Sequence, residues 1–72
     1  MTERDAVAAV NKKFKGYKVN KVRETPLVYV FLCENPDKEI IPSKLAAAVS
    51  KKTGKIGMSI TGYDEAIRQA IK

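Results

Sequence analysis

The run Leu27 to Cys33, LVYVFLC, is the longest unbroken apolar stretch in the chain. It is rich in β-branched and aromatic residues, follows Pro26 and ends at the polar segment Glu34-Asn35-Pro36-Asp37-Lys38. A run so composed and so bounded reads as one strand, buried on most of both faces and interior to a sheet. The other elements must be arranged around it.

A chain of 72 residues makes one domain, residues 1–72. At that size only about 60% of the unfolded surface is buried on folding, so the apolar residues have to be used efficiently. Cys33 is the one cysteine, so no disulfide helps. It ends the apolar run and reads as a small buried hydrophobe. An unpaired cysteine fits a reducing compartment. Glu3, Arg4 and Asp5 stand where a signal peptide would begin its apolar core. No apolar run approaches the roughly 20 residues that span a bilayer. The expectation is a soluble, cytoplasmic protein with no membrane partner.

Taken in order, Thr2 caps a helix, with Asp5 completing a capping box and Glu3 at the positive end of the dipole. Ala6, Val7, Val10 and Phe14 form one stripe at helical spacing. Lys12, Lys13 and Lys15 suit the last turn and Gly16 the stop, giving a helix over 3–15. Residues 17–24 read as a strand. Tyr17 and Val19 share a face, and a bulge near Asn20-Lys21 brings Val22 to the same side. Lys18, Lys21 and Arg23 suit an edge or solvent face. Pro26 fits the first residue of the next strand, making a hairpin of 17–24 with 27–33. Residues 34–43 form a loop in which Ile40-Ile41 are covered by the core edge or extend a short strand. For 44–50, propensity favours a helix (three alanines, Ser43 as cap) while alternation favours a strand, and the residues leave both open. Lys51-Lys52-Thr53-Gly54 has the form of a hairpin loop leading into Lys55–Ile60, where Ile56, Met58 and Ile60 alternate. A short helix over about 64–71, capped by Asp64 or Thr61, closes the chain with Ala66, Ile67, Ala70 and Ile71 as its buried stripe.

The segments Lys13-Phe14-Lys15-Gly16-Tyr17-Lys18-Val19 and Val49-Ser50-Lys51-Lys52-Thr53-Gly54-Lys55-Ile56 together resemble PepSY-type domains. In that family a helix precedes an antiparallel sheet whose last hairpin carries V-D-x-x-T-G-x-V. The match covers about residues 3–58, and the chain is also similar to small PepSY-like proteins of bacteria and phages that add a short C-terminal helix. Ser50 stands where the family usually has Asp. The resemblance implies a strand over 44–50 and a non-catalytic domain of the kind suggested to inhibit or regulate peptidases. The expected fold is α+β, in the order α-β-β-β-β-α. Three or four antiparallel strands form the sheet, and both helices pack on one face of it.

Enzymatic classes find little footing. There is no histidine, hence no imidazole base or ligand, and one thiol makes no zinc site. Ser43, Ser50 and Ser59 have no evident activating partner. Glu34, Asp37 and Glu39 do not have calcium-loop spacing. Gly54, Gly57 and Gly62 fit no phosphate-loop spacing, and no cofactor is expected. The favoured function is a protein-interaction or regulatory module, with Tyr17, Tyr29, Phe31 and Tyr63 as candidate anchors. Core filling accounts for at least one of Tyr29 and Phe31. Self-association as a homodimer is an equally simple use of the same face. The alternative is nucleic-acid binding. Net charge is +6, and Lys18, Lys21 and Arg23 with Lys51, Lys52 and Lys55 could form one basic surface. Against this, the basic residues are mostly lysine and no aromatic is interleaved with the lysine hairpin.

Overall fold

The computed structural model describes residues 2–72. Its elements run α1 (Glu3–Lys13), β1 (Lys18–Glu24), β2 (Val28–Glu34), β3 (Lys44–Ser50), β4 (Ile56–Ser59) and α2 (Tyr63–Ile71). The four strands make one antiparallel sheet in sequence order, β1-β2-β3-β4. The α+β class and the α-β-β-β-β-α order follow the expectation, and segment 44–50 is a strand.

The interior strand is β2, the heart of the apolar run. Its residues Val28 to Phe31 and Cys33 are all buried, between β1 and β3. Leu27, by contrast, is exposed. It lies in the turn that Thr25 closes, where the Thr25 Oγ1 accepts the Leu27 and Val28 N–H groups. The strand therefore starts two residues after Pro26, not at it.

Alternation along β2 assigns each residue to one of two covers. Tyr29, Phe31 and Cys33 join Leu45, Ala47 and Val49 in a cluster closed by Ala6 and Val10 of α1. Val28 and Val30 join Ala48 in a second cluster closed by Ala66 and Ala70 of α2. Successive strand side chains point to opposite faces, so α1 and α2 lie on opposite sides of the sheet. The expectation that both helices pack on one face is thus corrected. A central strand apolar at both parities needs two covers, and the chain supplies one helix for each.

The second cover is close. A Cβ on Gly57 would fall 2.0 Å from the Ala66 carbonyl oxygen and 2.8 Å from the Ala70 nitrogen. With alanines facing it from β3 and α2, the glycine lets the helix backbone sit directly on β4.

Local chemistry sets the ends of the elements. Thr2 and Asp5 form the reciprocal capping box, with the Asp5 N–H donating to Thr2 Oγ1 at 3.2 Å and the Thr2 N–H to Asp5 Oδ2 at 3.3 Å. The first helix stops at Lys13, short of 15, with Phe14 as its C-cap. Two residues later Gly16 takes φ +89, a region costly for other residues, and turns the chain toward β1. In β1 the register shifts between Val19 and Lys21, so Val19 opposes Cys33 and Val22 opposes Phe31. The bulge places Val19 and Val22 on one face and Lys21 and Arg23 on the other. At the β3–β4 turn the Ser50 Oγ accepts the Lys52 and Thr53 N–H groups, which is how a serine shapes a turn usually given to aspartate. The second helix begins after Gly62 with no side-chain cap. Neither Asp64 nor Thr61 takes that role, because Asp64 is already inside the first turn and the Thr61 hydroxyl bonds Ser59. Ile41 is 91% exposed and Ile40 is exposed beside it, in no strand. The loop is instead organised by Asn35, whose N–H donates to the Ser43 carbonyl and whose Oδ1 accepts the Asp37 N–H. No helix among the described residues is long and apolar enough to cross a membrane.

Candidate functional site

The two edges of the sheet differ. The short strand β4 has four residues and lies against α2, whose Gln69 Oε1 already takes the Met58 N–H at 3.0 Å. The longer strand β1 pairs with β2 alone. All of its residues except Val19 are exposed. Its outer row of backbone groups is the kind of surface a further strand can join.

On the α2 side of β1, a shallow trough is lined by Lys21, Val22, Arg23, Val30, Leu32 and Tyr63. The bulge at Asn20 brings Lys18 to this side with them, since Lys18 opposes Glu34, Lys21 opposes Leu32 and Arg23 opposes Val30. Its far wall is Tyr63, at the first turn of α2 and 38% exposed. A second depression continues past Tyr63 and Leu32 to Lys44, Ser59 and Thr61. Among the described residues the ion pairs are Lys51–Glu24 and Arg68–Glu65. Neither includes Lys18, Lys21, Arg23 or Lys44. Glu34 lies in register between Lys18 and Lys44 and accepts a hydrogen bond from Asn20 Nδ2 at 2.7 Å. Lys21 and Arg23 have no such neighbour, and no carboxylate lines their trough. The arrangement can hold an anionic group beside an apolar or aromatic one.

No family model matches this chain, and no curated protein or solved structure is significantly similar to it. The geometry alone therefore speaks for the site.

That geometry sorts the candidate residues. Phe31 is fully buried and Tyr29 only 8% exposed. They stand two apart on one strand, hence on the same face, with stacked rings 6.4 Å between centroids. Both fill the α1 core. Tyr17 is half-buried, set edge-on to Phe14, and its hydroxyl donates to the Pro42 carbonyl. That bond ties down the 35–43 loop. Of the four aromatic anchors, Tyr63 alone stands in the trough.

The six candidate cations do not make one surface. Lys18, Lys21 and Arg23 line the α2 side of β1. Lys51 reaches over the α1 side instead, its Nζ 4.8 Å from the Tyr29 ring centroid and 2.5 Å from Glu24 Oε2. Lys55 turns to the end of α2, with Nζ 3.5 Å from the Lys72 carbonyl oxygen, where a cation meets the negative end of the dipole. Lys52 is exposed on the same hairpin. The Lys18 end of the sheet and this hairpin are separated by the length of β2, about 20 Å at the usual rise per residue. Leu32 in the trough and Lys44 in the depression beside it carry no signal of a site in the sequence. Their place depends on strand register, which no local pattern announces.

Of the acidic residues Glu34, Asp37 and Glu39, the last two serve the loop itself, Asp37 Oδ1 accepting the Glu39 N–H at 3.0 Å. No group of three or more metal-ligating side chains forms among the described residues. Cys33 is buried in the α1 core, and burial pushes its thiol pKa up.

Proposed function

We propose that this chain is a non-catalytic protein-binding module, of the regulatory kind that its resemblance to PepSY-type domains implies, and that it takes its partner on the β1 side of the sheet. The observation that carries this reading is the asymmetry of the edges. One edge is a four-residue strand whose Met58 N–H is taken by a side chain of α2, and the other is a seven-residue strand, unpaired on its outer side and bordered by a trough of cations with one aromatic wall. The lone buried thiol fits a reducing, cytoplasmic setting.

Nucleic-acid binding is the weaker reading because the cations are divided between the two faces: Lys18, Lys21 and Arg23 stand on the α2 side, while Lys51 lies on the α1 side and is spent on Glu24 and Tyr29. A phosphate-tracking surface gains from continuous charge.

Photo-crosslinking in the native cell tests the proposal. A photoreactive residue at Val22 is expected to capture a discrete protein, and one at Lys52 or Met58 is not. Equal capture at all three positions overturns the placement on β1. Adducts that carry nucleic acid at Val22 overturn the protein-binding reading itself.

A further inference from the structure

Resting on that reading, we infer that the partner docks as an added β-strand along β1 and that its side chains alternate between acidic and apolar. The pattern follows from what β1 shows on each face. Beyond the bulge, Lys21 and Arg23 project on the α2 side and Val22 on the α1 side, where it is 41% exposed. Before the bulge, Lys18 and Val19 repeat the same division. A strand laid beside β1 has alternate residues on the same two faces. On one face it meets Lys18 beside Glu34 and then the uncompensated Lys21 and Arg23, on the other Val19 and Val22, with Glu24 already held by Lys51 at the far end. Cross-strand neighbours of opposite charge and apolar neighbours stabilise such pairing, and like charges oppose it.

A second copy of the chain is a poor occupant. Two-fold antiparallel pairing of β1 with itself sets Lys21 against Arg23 when centred on Val22, and Lys21 against Lys21 when centred there. Both registers place cations opposite one another in a chain of net charge +6. The same row that denies the edge to a second copy selects the sign of the strand that is admitted. The trough behind the row, with Leu32 and Tyr63 beside Lys21 and Arg23, gives an acidic side chain an apolar surface for its stem.

The test uses the full chain, isotope-labelled, titrated with synthetic peptides and followed by amide NMR and hydrogen exchange. One peptide alternates Glu with Val, a second scrambles the same composition, a third alternates Lys with Val, and a fourth carries N-methyl groups along one edge of the Glu/Val peptide. A short single-stranded DNA completes the set. The expected result is saturable binding of the Glu/Val peptide with shifts and new amide protection confined to β1. The scrambled and N-methylated peptides are expected to bind at least about tenfold more weakly, because they lose register or main-chain bonds. In the Lys21→Glu/Arg23→Glu variant the preference should reverse, with the Lys/Val peptide bound and the Glu/Val peptide weakened about tenfold. That gain of binding separates lost contacts from lost folding. Equal binding of ordered and scrambled peptides overturns strand addition, as does stronger binding of DNA through the same residues, or concentration-dependent self-pairing of β1. If the peptides fail while Val22 crosslinks to a protein in the cell, the inference fails and the module reading survives. If Val22 captures no protein, that reading fails whatever the peptides do.

Discussion

The two faces of the sheet are held by different means. On the α1 side, large side chains fill the space: Phe31, Tyr29, Leu45 and Val49 against Val10, with Phe14, Tyr17 and Ile56 packed around them. On the α2 side, Val28 and Val30 of the sheet are covered by a helix that brings alanines and comes down on Gly57, so the helix gains from how closely two backbones approach. The first arrangement removes much apolar area from water. The second buries little area per residue but makes many short-range contacts and leaves no room for error. A short chain with a single sheet uses both, because a wide aromatic layer on each side would need more residues than it has. The difference also fixes where a partner can go. Close packing on Gly57 holds α2 over the β4 side, and the β1 strip opposite it stays uncovered.

The largest expected effect comes from removing the ring on the α1 side. Phe31→Ala should cost about 3–5 kcal/mol, the range for a fully buried aromatic, which is a large share of the stability of a domain this small. Urea unfolding followed by circular dichroism measures it. A cost under about 1 kcal/mol would mean that the α1 layer collapses around the gap and is not set by Phe31.

The α2 side should break in the opposite direction, by addition. Gly57→Ala puts a methyl group against backbone atoms of Ala66 and Ala70, which cannot rotate away. Overpacking of this kind costs about 1–3 kcal/mol, and α2 should shift or loosen before the α1 side feels it. Hydrogen exchange distinguishes the two layers: amides of α2 lose protection first in this variant, while those of β2 stay protected. Uniform loss across the sheet would show that the faces do not behave as separate layers.

Sequence and structure agree most where a large side chain or a specific cap carried the signal. Thr2 and Asp5 announced the start of α1, the parity break between Val19 and Val22 announced the bulge, and the apolar run announced the central strand. The second cover was harder to see. Ala66 and Ala70 belong to a stripe at helical spacing, but Ala46, Ala48 and Gly57 have no distinctive hydrophobic pattern, and alanines are at home in a helix, so the residues of 44–50 leave helix and strand both open. Yet the strand apolar on both faces already called for two covers, and that consequence points to opposite helices. At the site, charge alone marked Lys18, Lys21 and Arg23. Tyr63 could not be told from Tyr17 or Tyr29, because only register and helix placement decide which aromatic remains on the surface. The exposed pair Ile40-Ile41 shows the converse, since apolar residues in a loop held by Asn35 need not be covered.

Smaller changes at the helix ends sharpen the contrast between the covers. Thr2→Ala removes the capping box from α1 and should cost about 1 kcal/mol. Gly62→Ser should do the reverse for α2. Gly62 has φ 161, an extended conformation open to any residue, and a Cβ there meets nothing within 4 Å. A serine hydroxyl can then accept a free N–H of the first turn, for a gain of a few tenths of a kcal/mol. Paired urea titrations check both. A loss on Gly62→Ser would show that the entry to α2 is set by something other than its missing cap.

The smallest response at neutral pH is that of the Cys33 thiol, which lies in the same α1 layer. Burial raises the thiol pKa above its ordinary value of 9.0, so the folded state holds the thiol proton more tightly than the unfolded chain does. The stabilisation this provides is complete below the unfolded value and is lost as pH rises through the folded one. Stability near pH 7 should therefore not respond to this group, and the decline should begin only above about pH 9. The measurement is a comparison of the native chain with Cys33→Ala, which isolates this group. The difference between their unfolding free energies should be flat from pH 6 to 8 and shrink above about pH 9, as the native chain loses the term that the variant lacks. A thiol reagent at pH 8 should label Cys33 at the rate of opening of the α1 face, and Phe31→Ala should accelerate that labelling more than Gly57→Ala does. Faster labelling in Gly57→Ala would mean that the closely packed side, not the aromatic one, governs access to the core.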